Sequence, residues 1–355
     1  MSGFTHYRIN YDEQIPEYGI HRSKINVSES GFLSRLQSNL NIEIISSNPE
    51  EIIFDIKGID ASIANALRRI LLAEVPTIAI ETVFITNNTS IIQDEVLAHR
   101  FGLIPIKGDA KKLEYLLPES SSNNNDDDDT GGPDSTNTLV FKFEVTCPQP
   151  ASNLSLEEKK YFQYNAKSEH LKWMPQGDQE SLFGVDGVGP VHEDIVLSSL
   201  KPGQCIELEA HAVKGVGKDH AKFSPVATAS YRLLPEITVN TEKVTHELAH
   251  ELKAMCPMQV FDIEDIGGGG GGGGGGVPTA VVSRPRDCTM CRACVRKEGW
   301  AERVQLRRVA DHFIFSVETA GAIAPEEIVR EGISVLRDKA STFLRYVNQA
   351  EAELA

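Results

Sequence analysis

Apolar residues along this chain recur in two rhythms, one near every second position and one near every third or fourth. The switches between them mark its elements. The run from Glu51 to Lys57 predicts a strand. Asp60 or Ser62 can then cap a helix reaching about Ala73, because a short oxygen-bearing side chain accepts the free N–H groups of a first turn, and Pro76 bars its continuation. Ile63, Leu67, Ile70 and Leu71 form the apolar stripe of this helix. A strand at Ile78 to Thr86 and a helix with apolar Val96 and Leu97 around Asp94 to Phe101 follow, and this first unit ends near Lys107.

From Leu139 the pattern changes to short alternating runs at Leu139 to Val145, Leu171 with Trp173, Cys205 to Ala212 and Ala227 to Leu233, which predict a β-rich region. A helix is predicted over Thr241 to Ala254 and a strand over His312 to Val317. Pro325 then opens a helix in which Val329, Ile333, Leu336, Ala340, Phe343 and Val347 recur at four-then-three spacing and form one seam. Such a seam belongs either to a helix buried on its own domain or to one that packs across a subunit boundary, and periodicity does not separate the two.

Two low-complexity segments, Glu119 to Asn137 and the glycines from Gly267 to Gly276, hold too little apolar surface to offset their ordering entropy and are expected to be disordered loops. Neither the glycine tract nor Gly215-Val216-Gly217-Lys218, which Asp219 follows where a hydroxyl is needed, is a phosphate-binding loop. With 355 residues and 41% hydrophobic content, two compact units can each bury a core. No stretch approaches the roughly 18 apolar residues of a membrane span, and a cytosolic or nuclear protein is expected. A net charge of −16 favours protein partners over unaided nucleic-acid binding. The basic stretch from Arg284 to Arg308 is the exception, either a solvated face or a surface for nucleic acid or an acidic subunit.

Of six cysteines, Cys147 and Cys205 stand alone, while Cys288, Cys291 and Cys294 are separated by two residues each. That spacing is similar to the run holding a [4Fe-4S] cluster in bacterial-type ferredoxins, with Cys256-Pro257 available as the distant ligand. A four-thiolate zinc site or free thiols fit the same residues. The glycine tract lengthens the intervening loop, and no cysteine follows Cys294 at ferredoxin spacing. Paired metal-binding carboxylates, a nucleophile with a base and a phosphate loop are all missing, so the chain is expected not to be an enzyme. The alternative is an independent ferredoxin-like iron-sulfur electron carrier, which accounts only for the cysteine region.

The segments Ala64-Asn-Ala-Leu-Arg-Arg-Ile-Leu-Leu-Ala-Glu-Val-Pro-Thr77, Ile80-Glu81, Asn87 to Arg100 and Gly102-Leu-Ile-Pro105 resemble the signature of RNA polymerase alpha-like subunits. The stretch His220 to Pro235 resembles the subunit shared by eukaryotic polymerases I and III more than its polymerase II counterpart. The likeness runs from about Asn41 to Val347. It implies an α+β fold in which a discontinuous alpha-type dimerisation domain, residues 41–107 and 305–355, is interrupted by an inserted domain at 108–304. The insertion would comprise the acidic loop 119–137, a β-rich part at 138–235 and a ferredoxin-like part at 236–304 with the glycine loop 267–276, all preceded by an amino-terminal extension, 1–40. It also implies a nuclear scaffold that pairs with a smaller alpha-like subunit and carries the two large catalytic subunits and other polymerase I and III subunits. DNA would be met only through the complex, and no membrane is involved. By this resemblance Arg69 contacts the second-largest subunit, supported by Asn65, Arg68 and Arg100. Leu67, Ile70 and Leu71 join Val329, Ile333, Leu336, Phe343 and Val347 in pairing, and Lys218, Asp219, His220 and Lys222 form a second interface candidate. The four cysteines Cys256, Cys288, Cys291 and Cys294 would hold a [4Fe-4S] cluster, zinc or nothing.

Overall fold

The computed structural model describes residues 6–8, 21–23, 34, 36–116, 133–150, 162–184, 187–266 and 277–354. The glycine loop 267–276, most of the acidic loop and most of the amino-terminal extension lie outside the described residues. In chain order the strands are β1 (His6–Arg8), β2 (His21–Ser23), β3 (Asn41–Ser47), β4 (Glu51–Lys57), β5 (Pro76–Asn88), β6 (Ile106–Lys107), β7 (Thr138–Thr146) and β8 (Tyr164–Lys167). They continue with β9 (Leu171–Met174), β10 (Gly189–Pro190), β11 (Val196–Leu200), β12 (Cys205–Val216), β13 (Val226–Val239), β14 (Phe261–Ile266), β15 (Val277–Val282) and β16 (Val304–Thr319). The helices are α1 (Ala61–Ala73), α2 (Asp94–Gly102), α3 (Gln179–Phe183), α4 (Glu247–Met255) and α5 (Pro325–Leu354).

This is a mixed α+β protein with several sheets. Two sheets are four-stranded, ordered β5-β12-β7-β9 and β13-β16-β4-β3, and the pairs β1-β2, β10-β6, β11-β8 and β14-β15 complete the set. The chain forms two compact units, each drawn from segments distant in sequence. The smaller comprises Met1–Ile45, Phe54–Ala64 and Tyr231–Phe315, and the larger Ser46–Ile53, Asn65–Ser230 and Ser316–Ala355.

The larger unit is organised by the antiparallel sheet of β5, β12, β7 and β9, in which Ala212 of β12 lies opposite Ile80 of β5 and Leu139 of β7. Inward alternation buries Leu139, Phe141, Phe143 and Val145 with Ile206, Leu208 and Ala210, and α2 adds Leu97 and Phe101 to the same cluster. The Phe101 and Phe143 rings meet edge-on at 4.9 Å. Fully burying each large side chain contributes roughly 1.5–3 kcal/mol, so this cluster fixes α2 and the loop after it. In the smaller unit Val244, Leu252, Phe261, Trp300, Val304 and Leu306 form a separate core.

Asp60 begins α1, its Oδ1 accepting the Ser62 N–H at 2.8 Å. The stripe expected there is displaced at its start: Ala64 is buried with Leu67, Ile70 and Leu71, while Ile63 is half-buried. The helix expected from Thr241 begins only at Glu247. Asn240 Oδ1 accepts the N–H groups of Glu242 and Lys243, and Thr245 bridges to Thr279, which holds these residues in turns. The strand expected at His312 starts already at Val304, where buried Val304 and Leu306 alternate with exposed Gln305 and Arg307 and belong to the smaller unit's core. No helix among the described residues is long and apolar enough to cross a membrane.

Candidate assembly surface and cysteine centre

Leu67, Ile70 and Leu71, expected to take part in pairing, are instead buried in this chain's own interior. Beside them Arg68 donates from Nε and Nη2 to Asn65 Oδ1 at 3.1 and 2.8 Å, a bond within one helical turn. Arg69 is exposed and makes no ion pair among the described residues. Neither arginine pairs with the nearby Glu74 or Glu81: Glu74 binds Lys339 and Glu81 binds Lys222. Arg100 is engaged inside the chain, donating from Nε to the Leu197 carbonyl at 2.9 Å and from Nη2 to the Val196 carbonyl at 2.6 Å, and so ties α2 to β11. Lys222 is likewise held, its Nζ donating to the Ile80 carbonyl at 2.7 Å while its backbone N–H meets His220 Nδ1 at 3.1 Å. Lys218 and Asp219 remain exposed.

Helix α5 divides into a rooted half and a free half. Pro325, Ile328 and Gly332 are buried at i, i+3 and i+7, a core stripe adjacent to the seam read from sequence. Polar contacts surround this root: Ser47 Oγ donates to Glu326 at 2.6 Å, and Lys111 Nζ lies 3.1 Å from Glu327 and 2.5 Å from Glu331. Hydrogen bonds from Lys111 help to hold the Glu327 carboxyl below its ordinary value. Lys339 Nζ reaches both Glu74 oxygens, at 2.9 and 2.7 Å. Along the seam Val329 is half-buried, while every residue from Leu336 to Ala352 is exposed. Ile333 is 51% exposed, Leu336 37% and Phe343 69%, and Leu344, Tyr346 and Val347 are exposed beside them. A contiguous open apolar face of this kind marks an interaction surface.

The four cysteines singled out by spacing line one small apolar pocket, with Val260, Phe261 and Leu306 among its walls. Cys256 and Cys288 are half-buried, Cys291 is exposed and Cys294 is buried. The Val260 N–H approaches Cys256 Sγ at 3.5 Å and the Met290 N–H approaches Cys288 Sγ at 3.4 Å. Gln259, Met290 and Arg292 have left-handed backbones (φ 51°, 58° and 61°), and all three sit in the two cysteine-bearing turns. Left-handed non-glycine residues persist where a local geometry is needed. Burial, followed by the nearby Cys288, pushes the Cys294 thiol up to about 11, and burial also raises Cys288. No group of three or more His, Cys, Asp or Glu among the described residues is drawn close enough to grip a metal as it stands. The donor chemistry nevertheless suits a soft metal: four cysteines line one apolar pocket, and the sulfurs of two of them accept backbone N–H groups.

A polar cluster that periodicity did not reveal lies in the same unit. Asp55 is 3% exposed, and its carboxylate takes Arg286 in a fork at 2.8 and 2.8 Å and His312 Nε2 at 2.8 Å. Burial pushes this carboxyl up, but bonds from Arg286 and His312 outweigh it and hold it below its ordinary value. The only sequence signal was an acid inside the apolar run of β4. Other members of the basic stretch are also engaged: Arg284 donates to the Gln259 carbonyl, Lys297 pairs with Glu251, and Arg303 lies over the Trp300 ring.

Residues 53–340 match the family described as the RNA polymerase Rpb3/Rpb11 dimerisation domain. The chain is 40% identical over 329 residues to the RPAC1 subunit of DNA-directed RNA polymerases I and III from Dictyostelium discoideum, covering 92% of this chain and 87% of that protein. It is 44% identical over 315 residues to the human RPAC1 subunit, covering 87% and 85%. With the Dictyostelium polymerase II subunit rpb3 the identity is 30% over 322 residues, covering 86% and 94%. These relatives lend no support to an independent electron carrier.

Proposed function

This chain belongs to the family of the RNA polymerase Rpb3/Rpb11 dimerisation domain, and from that premise we propose that it is the non-catalytic assembly subunit shared by RNA polymerases I and III. The observation that carries the reading is the open apolar face of α5, with Ile333, Leu336, Phe343 and Val347 exposed within or just beyond a segment matched by a dimerisation domain. Its occupant is a smaller alpha-like subunit. The heterodimer is the platform on which the two large catalytic subunits assemble, with exposed Arg69 suited to a bidentate bond with a carboxylate or backbone carbonyls of the second-largest. Residues 41–107 and 305–355 form the discontinuous dimerisation domain, and 108–304 the inserted one. The higher identity to the RPAC1 subunits than to the polymerase II subunit favours polymerases I and III. The sites of work are then the nucleolus for ribosomal RNA precursor and the nucleoplasm for 5S and transfer RNA, and DNA is met only within the complex.

In the ferredoxin-like part, Cys256, Cys288, Cys291 and Cys294 hold a [4Fe-4S] cluster, with zinc as the second reading. Bound there, the metal would supply cross-linking of two turns rather than reaction chemistry, coupling its binding to their folding. The functional reading is tested by rapid depletion of the chain in its own cells with labelling of new transcripts. Synthesis of ribosomal RNA precursor, 5S and transfer RNA should fall first and messenger RNA later; an early, equal loss of messenger RNA contradicts it.

A further inference from the structure

Resting on that reading, we propose that the Lys339–Glu74 ion pair is a positioning device for subunit pairing, fixing the direction in which the free half of α5 leaves the chain. Glu74 follows the last residue of α1, and its N–H bonds to the Ile70 carbonyl at 2.9 Å, so its backbone is tied to that helix. Its carboxylate receives Lys339 Nζ through both oxygens, at 2.9 and 2.7 Å. Among the described residues, this is the last bond α5 makes to another element: Lys111 engages Glu327 and Glu331 two to three turns nearer the root, and nothing beyond Lys339 is held. Residues 340–354 extend about 22 Å further at ~1.5 Å per residue. A tilt of about 10° at Lys339 would displace the tip by about 4 Å and Val347 by about 2 Å, more than a close-packed apolar contact tolerates. Both partners are partly exposed, with 57% of the Lys339 and 31% of the Glu74 side-chain surface open. Such a pair adds little to folding stability, so its consequence lies in direction.

The test is the affinity of the purified full chain for the smaller alpha-like subunit of the same cells, measured beside the melting temperature of each variant. Lys339→Glu should weaken pairing on the order of tenfold, the loss of one modest contact, with melting unchanged. Lys339→Arg should pair as wild type, and the reversed pair Glu74→Lys with Lys339→Glu should recover affinity. If Lys339→Glu lowers melting, Glu74→Gln gives the comparison without repulsion. Wild-type affinity in Lys339→Glu, or a folded reversed pair that fails to recover, overturns the proposal. Failure of the wild-type chain itself to pair overturns the reading beneath it, and this proposal with it.

Discussion

Replacing Leu336 and Phe343 together by Asp separates a helix that binds a partner from one that merely projects. Phe343 is 69% and Leu336 37% exposed. Since full burial of such a side chain contributes roughly 1.5–3 kcal/mol, covering the open fractions contributes about 2 and about 1 kcal/mol. Two carboxylates carried into the same contact without partners add at least about 2 kcal/mol of desolvation cost. The sum, about 5 kcal/mol, predicts affinity for the smaller alpha-like subunit lower by more than about a thousandfold. Against this, Asp in an exposed helix costs less than about 0.7 kcal/mol per site, and the larger unit's core does not include either residue. Titration of the purified double variant with the smaller subunit, beside circular dichroism of the chain alone, reads both quantities. An unchanged dissociation constant with an intact fold would refute the assignment of this face.

Removing Arg286 leaves the buried Asp55 with His312 alone, and Arg286→Ala should cost about 3 kcal/mol in urea unfolding at neutral pH. Because the folded-state Asp55 carboxyl lies below its ordinary value, its contribution is present above the unfolded pKa of about 3.9 and is lost as pH falls through the lower folded value. In Arg286→Ala that fork no longer offsets burial, the folded carboxyl rises, and the Asp55 contribution lost on acidification should shrink; coincident wild-type and variant profiles would contradict this. Anaerobically purified chain should contain iron with acid-labile sulfide, or else zinc, and Cys294→Ser should abolish it; absence of both metals from the wild type sinks the four-thiolate reading. Arg69→Glu should reduce recovery of the second-largest polymerase subunit in pull-downs while the smaller alpha-like subunit stays bound. Equal recovery of both would remove Arg69 from that interface.

Strand β4, helix α2 and the amphipathic α5 were legible in sequence because each carries a strong local period. What the period could not reveal was which of two adjacent stripes on α5 would be buried. Ile328 and Gly332 pack inward while Ile333 and Leu336 stay open, a choice made by Leu71 and by elements far away in the chain. The late start of α4 depends on the Asn240 side chain and on Thr279 across the unit, again a non-local decision. Arg69 and Arg100 read alike as exposed arginines, yet only Arg100 finds the carbonyls of β11. The cysteine spacing did identify the residues that line one pocket, because three lie within one short loop. Asp55 and His312 left almost no signal, since their partner Arg286 joins them only in the fold.

The most direct test of the central claim is affinity purification of the tagged chain from its own cells, with mass spectrometry of everything retained. A scaffold shared by two polymerases should retain a smaller alpha-like subunit together with the large subunits of both polymerase I and polymerase III. A chain recovered alone, or with redox enzymes in place of polymerase subunits, would contradict it.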